Sequence, residues 1–305
     1  MSEPIYHIPA LLPQTLECLD IKPSGIYVDA TFGGGGHSRA ILDRLGPDGR
    51  LIAFDQDEDA IANAPDDDRF TFVRSNFRFM PNFLRYYGVG RVDGILADLG
   101  VSFHHFDDAE RGFSFRTDAP LDMRMNQKAP VNAASLLEIY DERDLISLFR
   151  TYADLKDPTR VAKAIVAARR NAPITTTFAL ADAVRPGLNP KCEKKEMAQV
   201  FQALRIAVNS EMEALTTLLA ACPKILKDGG RAAILTYHSV EDRIVKNFFR
   251  SGNAEGKVEK DFFGNVVCEW KSITRSPITA DADEVERNPR SRSAKLRAAR
   301  LITEI

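Results

Sequence analysis

The segment Asp29-Ala30-Thr31-Phe32-Gly33-Gly34-Gly35-Gly36-His37 is the strongest indicator of the fold of this chain. It lies between a short apolar run at 26–28, typical of a β-strand, and a helix-like run at 38–45. Glycine lacks a Cβ atom, so a turn of four glycines lets the backbone come very close to a ligand. The N–H groups at the start of a helix favour a carboxylate or phosphate group there. The stretch therefore predicts a strand, a ligand-binding turn and a helix.

The glycine spacing restricts which ligand this turn can bind. The sixth position counted from Gly33 is Ser38, where the dinucleotide fingerprint requires glycine or alanine, and His37 follows Gly36 where a P-loop has lysine. A second apolar run at 51–54 leads to Asp55, and an acid at that place suits the two hydroxyls of a ribose. This arrangement resembles the S-adenosylmethionine (SAM) site of class I methyltransferases.

Alternating strand-like and helix-like runs predict an α/β fold with a parallel sheet covered by helices on both faces. The strand-like runs lie at 26–28, 51–54, 70–73, 92–97 and 231–236. They end near Asp29, Asp55, Asn76, Asp98 and Tyr237-His238-Ser239. Ligands of open α/β sheets bind at such carboxyl ends, so these residues are expected in one site. Two later runs, 266–273 and 296–302, would add an antiparallel pair and complete a seven-stranded, Rossmann-like sheet.

More than a hundred residues separate the fourth and fifth strand-like runs, and this middle part is helical in pattern. Candidate helices cover 132–140, 142–152, 159–171, 177–184 and 194–208. We therefore predict a discontinuous SAM-binding methyltransferase domain, 1–109 and 210–305, and an inserted helical domain, 110–209, for substrate recognition. The alternative is that these helices belong to the main layer.

Composition and charge indicate an ordinary globular protein. The 305 residues include 41 Lys and Arg and 43 Asp and Glu, for a net charge of −2. Four cysteines without a C-x-x-C motif suggest neither a zinc site nor a disulfide framework, and we expect no metal. No apolar run approaches the ~20 residues of a membrane helix, and no secretory signal is visible, so a cytoplasmic location is expected. Basic residues concentrate at 156–170 and 287–300. These stretches are either solvated surfaces or binding surfaces for a polyanion.

Seven sequence motifs occur in an order that resembles one known family. They are Asp29-Ala-Thr-Phe-Gly-Gly-Gly-Gly-His-Ser38, Asp98-Leu-Gly-Val-Ser102, Asp108-Ala-Glu-Arg-Gly-Phe-Ser-Phe115, Pro120-Leu-Asp-Met-Arg-Met125, Phe201-Gln-Ala-Leu-Arg-Ile206, His238-Ser-Val-Glu-Asp-Arg243 and Asn288-Pro-Arg290. Together they resemble the RsmH (MraW) family of bacterial 16S rRNA cytosine N4-methyltransferases over nearly the whole chain. The resemblance implies a class I fold with a helical insert and S-adenosyl-L-methionine as methyl donor. It also implies methylation of the exocyclic N4 of a decoding-region cytidine in 16S rRNA of the small ribosomal subunit.

The resemblance also implies which residues bind the cofactor. By position, the family's contacts fall on Gly35, Gly36, His37, Asp55, Phe77, Asp98 and His105. His105 stands where many relatives have glutamine, and histidine can also donate or accept a hydrogen bond.

Asp98 and His238 are our candidates for polarising the N4–H bond or for positioning the base. Asp98 could instead only hold the cofactor or cap a turn, and His238 could be a strand-end histidine satisfied by its neighbours. Phe113, Phe115 and Tyr237 could stack on a splayed cytosine, or could simply belong to the core.

Three other functions stay open. A methyltransferase for DNA or a small molecule is disfavoured because Asp98-Leu99-Gly100-Val101 lacks the Pro-Pro turn of typical DNA amino-methylases, and because the insert is large. A nicotinamide-dependent oxidoreductase is disfavoured by the glycine spacing. A non-catalytic RNA-binding scaffold that keeps a cofactor pocket is distinguished by a methyl-transfer assay.

Overall fold

A computed structural model of the chain describes residues 9–100, 109–264 and 266–303. The chain divides into two compact units, Met1–Gly100 with Met212–Ile305, and Val101–Glu211. Helices that combine the length and the apolar character needed to cross a bilayer are absent from the described ranges. The role of the second unit in substrate recognition stays a prediction.

The helices are named in chain order over the described residues. They are α1 (Leu12–Leu19), α2 (Gly36–Leu42), α3 (Met80–Tyr86), α4 (Ala133–Ile139), α5 (Glu142–Tyr152), α6 (Pro158–Arg169), α7 (Thr177–Val184), α8 (Glu193–Val208), α9 (Glu211–Ile225), α10 (Ser239–Ser251) and α11 (Ala282–Arg287). Helices α4 to α8 belong to the second unit, as does Glu211 at the start of α9. The others belong to the first unit.

The sheet of the first unit has the strand order β3-β2-β1-β4-β5-β8-β6. Its strands are β1 (Ile26–Asp29), β2 (Arg50–Asp55), β3 (Phe70–Arg74), β4 (Val92–Asp98), β5 (Leu226–Thr236), β6 (Trp270–Ser272), β7 (Ile278–Thr279) and β8 (Lys295–Leu301). Strands β1 to β5 pair in parallel, and β8 runs antiparallel to both β5 and β6. This order, with its antiparallel pair at one edge, confirms the predicted class I methyltransferase fold.

Three details of the sheet differ from the prediction. Over the described residues the sheet has eight strands and not seven, because the short strand β7 also pairs with β8. Of the predicted run 266–273, only Trp270–Ser272 forms a strand. Strand β5 begins at Leu226, five residues before the predicted run 231–236. Its pairing with β4 then shifts in register and resumes at Arg231.

Helices cover both faces of the sheet because successive strand residues point to opposite sides. Ile95 belongs to one apolar cluster, which includes Phe249 of α10, and the next residue, Leu96, belongs to another cluster, which includes Leu16 of α1. All four side chains are at most 5% exposed. This burial fixes the register of the strands, and with it the positions of the residues at their ends.

The second unit has its own apolar core, built from α4 to α8. Each of the first four helices begins at a polar side chain that caps the free N–H groups of the first turn. These caps are Asn132, Asp141, Asp157 and Thr176. The five helices predicted here are confirmed, with ends within two residues of the expected positions.

Candidate active site

The carboxyl edge of the parallel strands brings the predicted polar residues together. Asp29 ends β1, Asp55 ends β2 and Asp98 ends β4, while Tyr237 directly follows β5. These strands are neighbours in the sheet. The first unit therefore has one edge at which carboxylates and a phenol converge, as the sequence predicts.

The glycine turn and Asp55 form a single hydrogen-bonded element. The Gly33 N–H donates to Oδ2 of Asp55 at 2.8 Å, and the Asp57 N–H donates to Oδ1 at 2.9 Å. Each carboxylate oxygen can accept more than one hydrogen bond, so these contacts orient Asp55 and are compatible with binding a hydroxyl group. The structure thus joins two residues that lie 22 positions apart in sequence.

Two glycines of the turn are required by the packing of the turn itself. Gly35 has a φ of 75°, and a Cβ atom on it would lie 2.9 Å from the ring of Phe32. A Cβ atom on Gly36 would lie 3.0 Å from Pro9. Helix α2 begins at Gly36, two residues before the expected start at Ser38. Glycine is therefore needed here before any ligand is considered.

A buried pair below the turn connects β1 to α2. Asp29 is 1% exposed and accepts hydrogen bonds from the Thr31 N–H at 3.0 Å and from the Ser38 hydroxyl at 2.7 Å. Burial raises the pKa of Asp29 and lowers the pKa of His37, which is 6% exposed. His37 is therefore a neutral imidazole at neutral pH.

Asp98 contacts three neighbouring residues at this edge, and its pKa is strongly shifted. Its carboxylate Oδ1 accepts a hydrogen bond from the Tyr237 hydroxyl at 2.7 Å, and Oδ2 lies 3.6 Å from Nδ1 of His37. Its backbone N–H donates to Oγ1 of Thr31 at 2.6 Å. Burial raises the pKa of Asp98, the bond from Tyr237 lowers it and the charge of Glu241 raises it, and the result is a pKa of about 7. Since a general base works best with a pKa near the operating pH, Asp98 is suited to accept a proton.

Tyr237 and Glu241 form a support that sequence reasoning did not identify. The backbone N–H of Tyr237 donates to Oε2 of Glu241 at 2.8 Å, and Glu241 is 1% exposed. Burial raises the pKa of Tyr237 well above its ordinary value, so the hydroxyl stays protonated and donates to Asp98. The sequence predicts Tyr237 at a strand end in the site and as a stacking ring, but not as a hydrogen-bond donor to Asp98. A tyrosine directly after a strand and an acid four residues later was the available signal.

His238 is the cap of helix α10. Its Nδ1 accepts the Glu241 N–H at 3.4 Å, and its Nε2 lies 3.1 Å from Oε1 of Glu241. These contacts correspond to the alternative in which a strand-end histidine is satisfied by its neighbours. A catalytic role for His238 stays a prediction.

The remaining candidates differ in how the structure places them. Phe77 is half-buried against the apolar core and follows Asn76, whose side chain donates to Oε1 of Gln56 at 3.0 Å. His105 lies outside the described residues. In the second unit, Phe113 is 5% exposed and belongs to the core, while Phe115 packs against Phe201 with ring centroids 5.4 Å apart.

Comparison with known proteins identifies the family. The model of the MraW methylase family matches residues 4–302. This chain belongs to the MraW methylase family.

The MraW relatives match the chain over almost all of its length. It is 57% identical over 298 residues to ribosomal RNA small subunit methyltransferase H of Phocaeicola vulgatus, and 55% identical over 298 residues to the protein of that name from Bacteroides thetaiotaomicron. Each alignment covers 98% of this chain and 98% of the relative. Among solved structures, a putative rRNA-methylase from Clostridium thermocellum has a TM-score of 0.46 at 13% identity, covering 98% of this chain and 99% of that chain.

The residues at the carboxyl edge fit the cofactor of a MraW methylase, which is SAM. The oriented, half-buried carboxylate of Asp55 suits a ribose, and half-buried Phe77 at the end of the neighbouring strand offers an apolar surface for an adenine ring. Asp55 pairs in register with Arg74, the last residue of β3, and Phe77 follows three residues later in the chain. The assignment of individual cofactor ligands remains a prediction.

Proposed function

We propose that this methyltransferase acts on the N4 amine of a decoding-region cytidine in 16S rRNA of the small ribosomal subunit. Two findings support an rRNA substrate: membership of the MraW family, and relatives at 51–57% identity named ribosomal RNA small subunit methyltransferase H. The N4 position and the decoding region are what the resemblance of the seven ordered motifs to the RsmH family implies. Together with this substrate we propose a cytoplasmic location for the protein.

One observation carries the chemistry: Asp98, with a pKa of about 7, sits at the end of β4 in contact with Tyr237. The lone pair of the cytosine amine is delocalised into the ring, so N4 is a poor nucleophile. SAM supplies an electrophilic methyl group on a sulfonium. As N4 gains the methyl group it must lose one of its two protons, and the Asp98 carboxylate accepts that proton and passes it to water.

The groups around Asp98 keep it in the required state. The Tyr237 hydroxyl stabilises the ionised carboxylate by donating to Oδ1, and the bond from the Asp98 N–H to Thr31 fixes the end of β4. A positively charged His37 would lower the pKa of Asp98; because His37 is neutral, Asp98 keeps its affinity for a proton. The alternative is that Asp98 only holds the cofactor. Substitution by asparagine separates the two: loss of rate with unchanged affinity for S-adenosylhomocysteine supports proton transfer, and loss of affinity supports cofactor binding.

The distribution of basic residues agrees with a polyanionic substrate. In the stretch 156–170, the side chains of Lys156, Arg160, Lys163 and Arg170 are exposed, whereas Arg169 turns inward and donates to the carbonyl groups of Leu137 and Tyr140. In the stretch 287–300, Arg297 is paired with Asp242 at 2.7 Å. The exposed members are available for phosphate groups, and the paired ones serve the fold.

The test is mass mapping of rRNA methylation in cells with and without this protein. We expect one cytidine of the decoding region to lose an N4-methyl group in the deletion strain and to regain it when the wild-type gene, but not the Asp98→Asn gene, is restored. Tritium transfer from labelled SAM to small subunits, protein-free rRNA and DNA then defines the substrate. Unchanged rRNA modification in the deletion strain would refute the proposal.

A further inference from the structure

The solvent side of α10 carries a row of cations. Its exposed residues are Ser239, Arg243, Lys246 and Arg250, which recur at the three- and four-residue spacing of one helix face. The three cations, from Arg243 to Arg250, span about 11 Å along the helix axis. Within the described part of the chain, Arg243 and Lys246 form no ion pair. This face therefore presents uncompensated positive charge.

The acids of the first turn of α10 do not neutralise this face. Glu241 is 1% exposed and is bound to the backbone N–H of Tyr237. Asp242 accepts a bond from Nε of Arg297 at 2.7 Å and lies 3.6 Å from Nζ of Lys295. Both carboxylates are thus used inside the first unit, and the charged side chains of α10 that face solvent are the cations.

Helix α10 connects the candidate active site to a hairpin with two exposed rings. The helix starts directly after Tyr237 and His238, and near its other end Phe249 packs against Trp270, with ring centroids 5.2 Å apart. The hairpin is closed by a bridge between Lys260 and Val266. At its turn, Phe262 is 97% exposed and Phe263 is 84% exposed.

Hydrogen bonds from the backbone order the turn that carries these two exposed rings. The Phe263 N–H donates to Oδ1 of Asp261 at 2.8 Å, and the Gly264 N–H donates to the Asp261 carbonyl at 3.0 Å. The ring centroids lie 5.6 Å apart at an interplanar angle of 86°, and with 97% and 84% exposure both rings offer surface to solvent. From 257 to 267 the hairpin carries two lysines and two acids, so the rings are its distinctive feature and the charge comes from α10.

We propose that α10 and this hairpin form a binding surface for single-stranded RNA next to the target nucleotide. Arg243, Lys246 and Arg250 would bind consecutive phosphate groups, and Phe262 or Phe263 would stack on an unpaired base. Aromatic rings combined with a row of cations are the chemistry by which proteins bind single-stranded nucleic acid. The inference rests on the proposed function, because it assumes an RNA substrate.

Three double variants test the surface. Arg243→Gln/Lys246→Gln removes two cations, and Phe262→Leu/Phe263→Leu removes the rings but keeps apolar side chains. Arg44→Gln/Lys224→Gln is the control, because these exposed cations lie at the amino edge of the sheet, near the starts of β2 and β5. Binding is measured by filter retention with protein-free 16S rRNA and with isolated small subunits over a range of salt concentrations.

We expect the arginine–lysine variant to lower the slope of log affinity against log salt by about 1.4 relative to wild type, at ~0.7 per lost phosphate contact. The phenylalanine variant should bind on the order of 5- to 150-fold more weakly per lost stacked base. Both variants and the control should bind S-adenosylhomocysteine as wild type does. If both variants match the control on RNA, the inference is overturned.

The same experiment separates this inference from the proposed function. If wild type methylates small-subunit RNA and the variants match it, the surface is wrong and the function stands. If wild type transfers no methyl group to any form of this RNA, the function itself fails. If the phenylalanine variant loses affinity for small subunits but not for protein-free RNA, the rings contact a protein, and the RNA assignment of the hairpin is overturned.

Discussion

The hydrogen bond from Tyr237 to Asp98 makes a quantitative prediction about pH. Tyr237→Phe removes the donor to Oδ1 of Asp98, which lies 2.7 Å away, and keeps the ring. A hydrogen bond to a charged group contributes about 1.5–3 kcal/mol. At 1.36 kcal/mol per pKa unit, its loss raises the pKa of Asp98 by about 1–2 units.

This shift fixes the expected loss of activity. Starting from a pKa of about 7, Asp98 is half ionised at neutral pH in the wild-type protein. A pKa raised by about 1–2 units leaves roughly 1–10% of it ionised, so the methylation rate at neutral pH should fall about 5- to 50-fold. The rate should recover as the pH rises, because the ionised carboxylate is the acceptor of the N4 proton.

The assay is single-turnover tritium transfer to small subunits at saturating SAM, with the pH varied from about 6 to 9 around the relevant pKa range. Tyr86→Phe is the control, since Tyr86 is 80% exposed and removed from the candidate site. Affinity for S-adenosylhomocysteine should be unchanged in both variants. A Tyr237→Phe enzyme with the wild-type pH midpoint, even if slower at every pH, would show that Asp98 is not the titrating group.

Three other predictions follow from the same edge of the sheet. Asp55→Ala should weaken S-adenosylhomocysteine binding, measured by calorimetry, about 10- to 150-fold. Asp55→Asn keeps one acceptor oxygen and should lose less affinity. Equal affinities of Asp55→Ala and wild type would show that Asp55 does not bind the ribose. The pKa of Asp98 is raised from 3.8 to about 7, so the free energy of unfolding of the wild-type protein falls as pH rises from about 4 to 7. The advantage of Asp98→Asn over wild type in denaturant unfolding should therefore be about 2–3 kcal/mol larger at pH 8 than at pH 5. An advantage that does not change with pH would contradict this. Gly35→Ala should destabilise the protein by about 1–3 kcal/mol, because of its φ of 75° and the contact with Phe32, and a Gly90→Ala control, where a Cβ meets nothing within 4 Å, should not.

The main features of the fold could be predicted from the sequence because they depend on local patterns. The run before Asp29 and the run before Asp55 are apolar and bounded by turn residues, and these patterns mark parallel strands. Once the strands are parallel, the positions of Asp55 and Asp98 at one edge follow from geometry alone.

The parts that could not be predicted depend on side-chain contacts between distant segments. The bond from Tyr237 to Asp98 joins residues 139 positions apart, and no sequence pattern specifies where a tyrosine hydroxyl points. The two-residue strand β7 is too short to show any periodicity. Phe262 and Phe263 illustrate a different limit, because large apolar residues are usually expected in a core and only the structure shows them exposed.

The position of β8 has a consequence for how the protein is made. The strand β6 joins the sheet only through β8, which is the last strand of the described chain, and β8 also covers the outer edge of β5. During synthesis that edge of β5 therefore stays unpaired until Lys295–Leu301 has left the ribosome. Unpaired edges recruit foreign strands. A nascent chain paused before Lys295 should therefore bind chaperones preferentially. Once β8 has emerged from the ribosome and paired with β5, this chaperone binding should end.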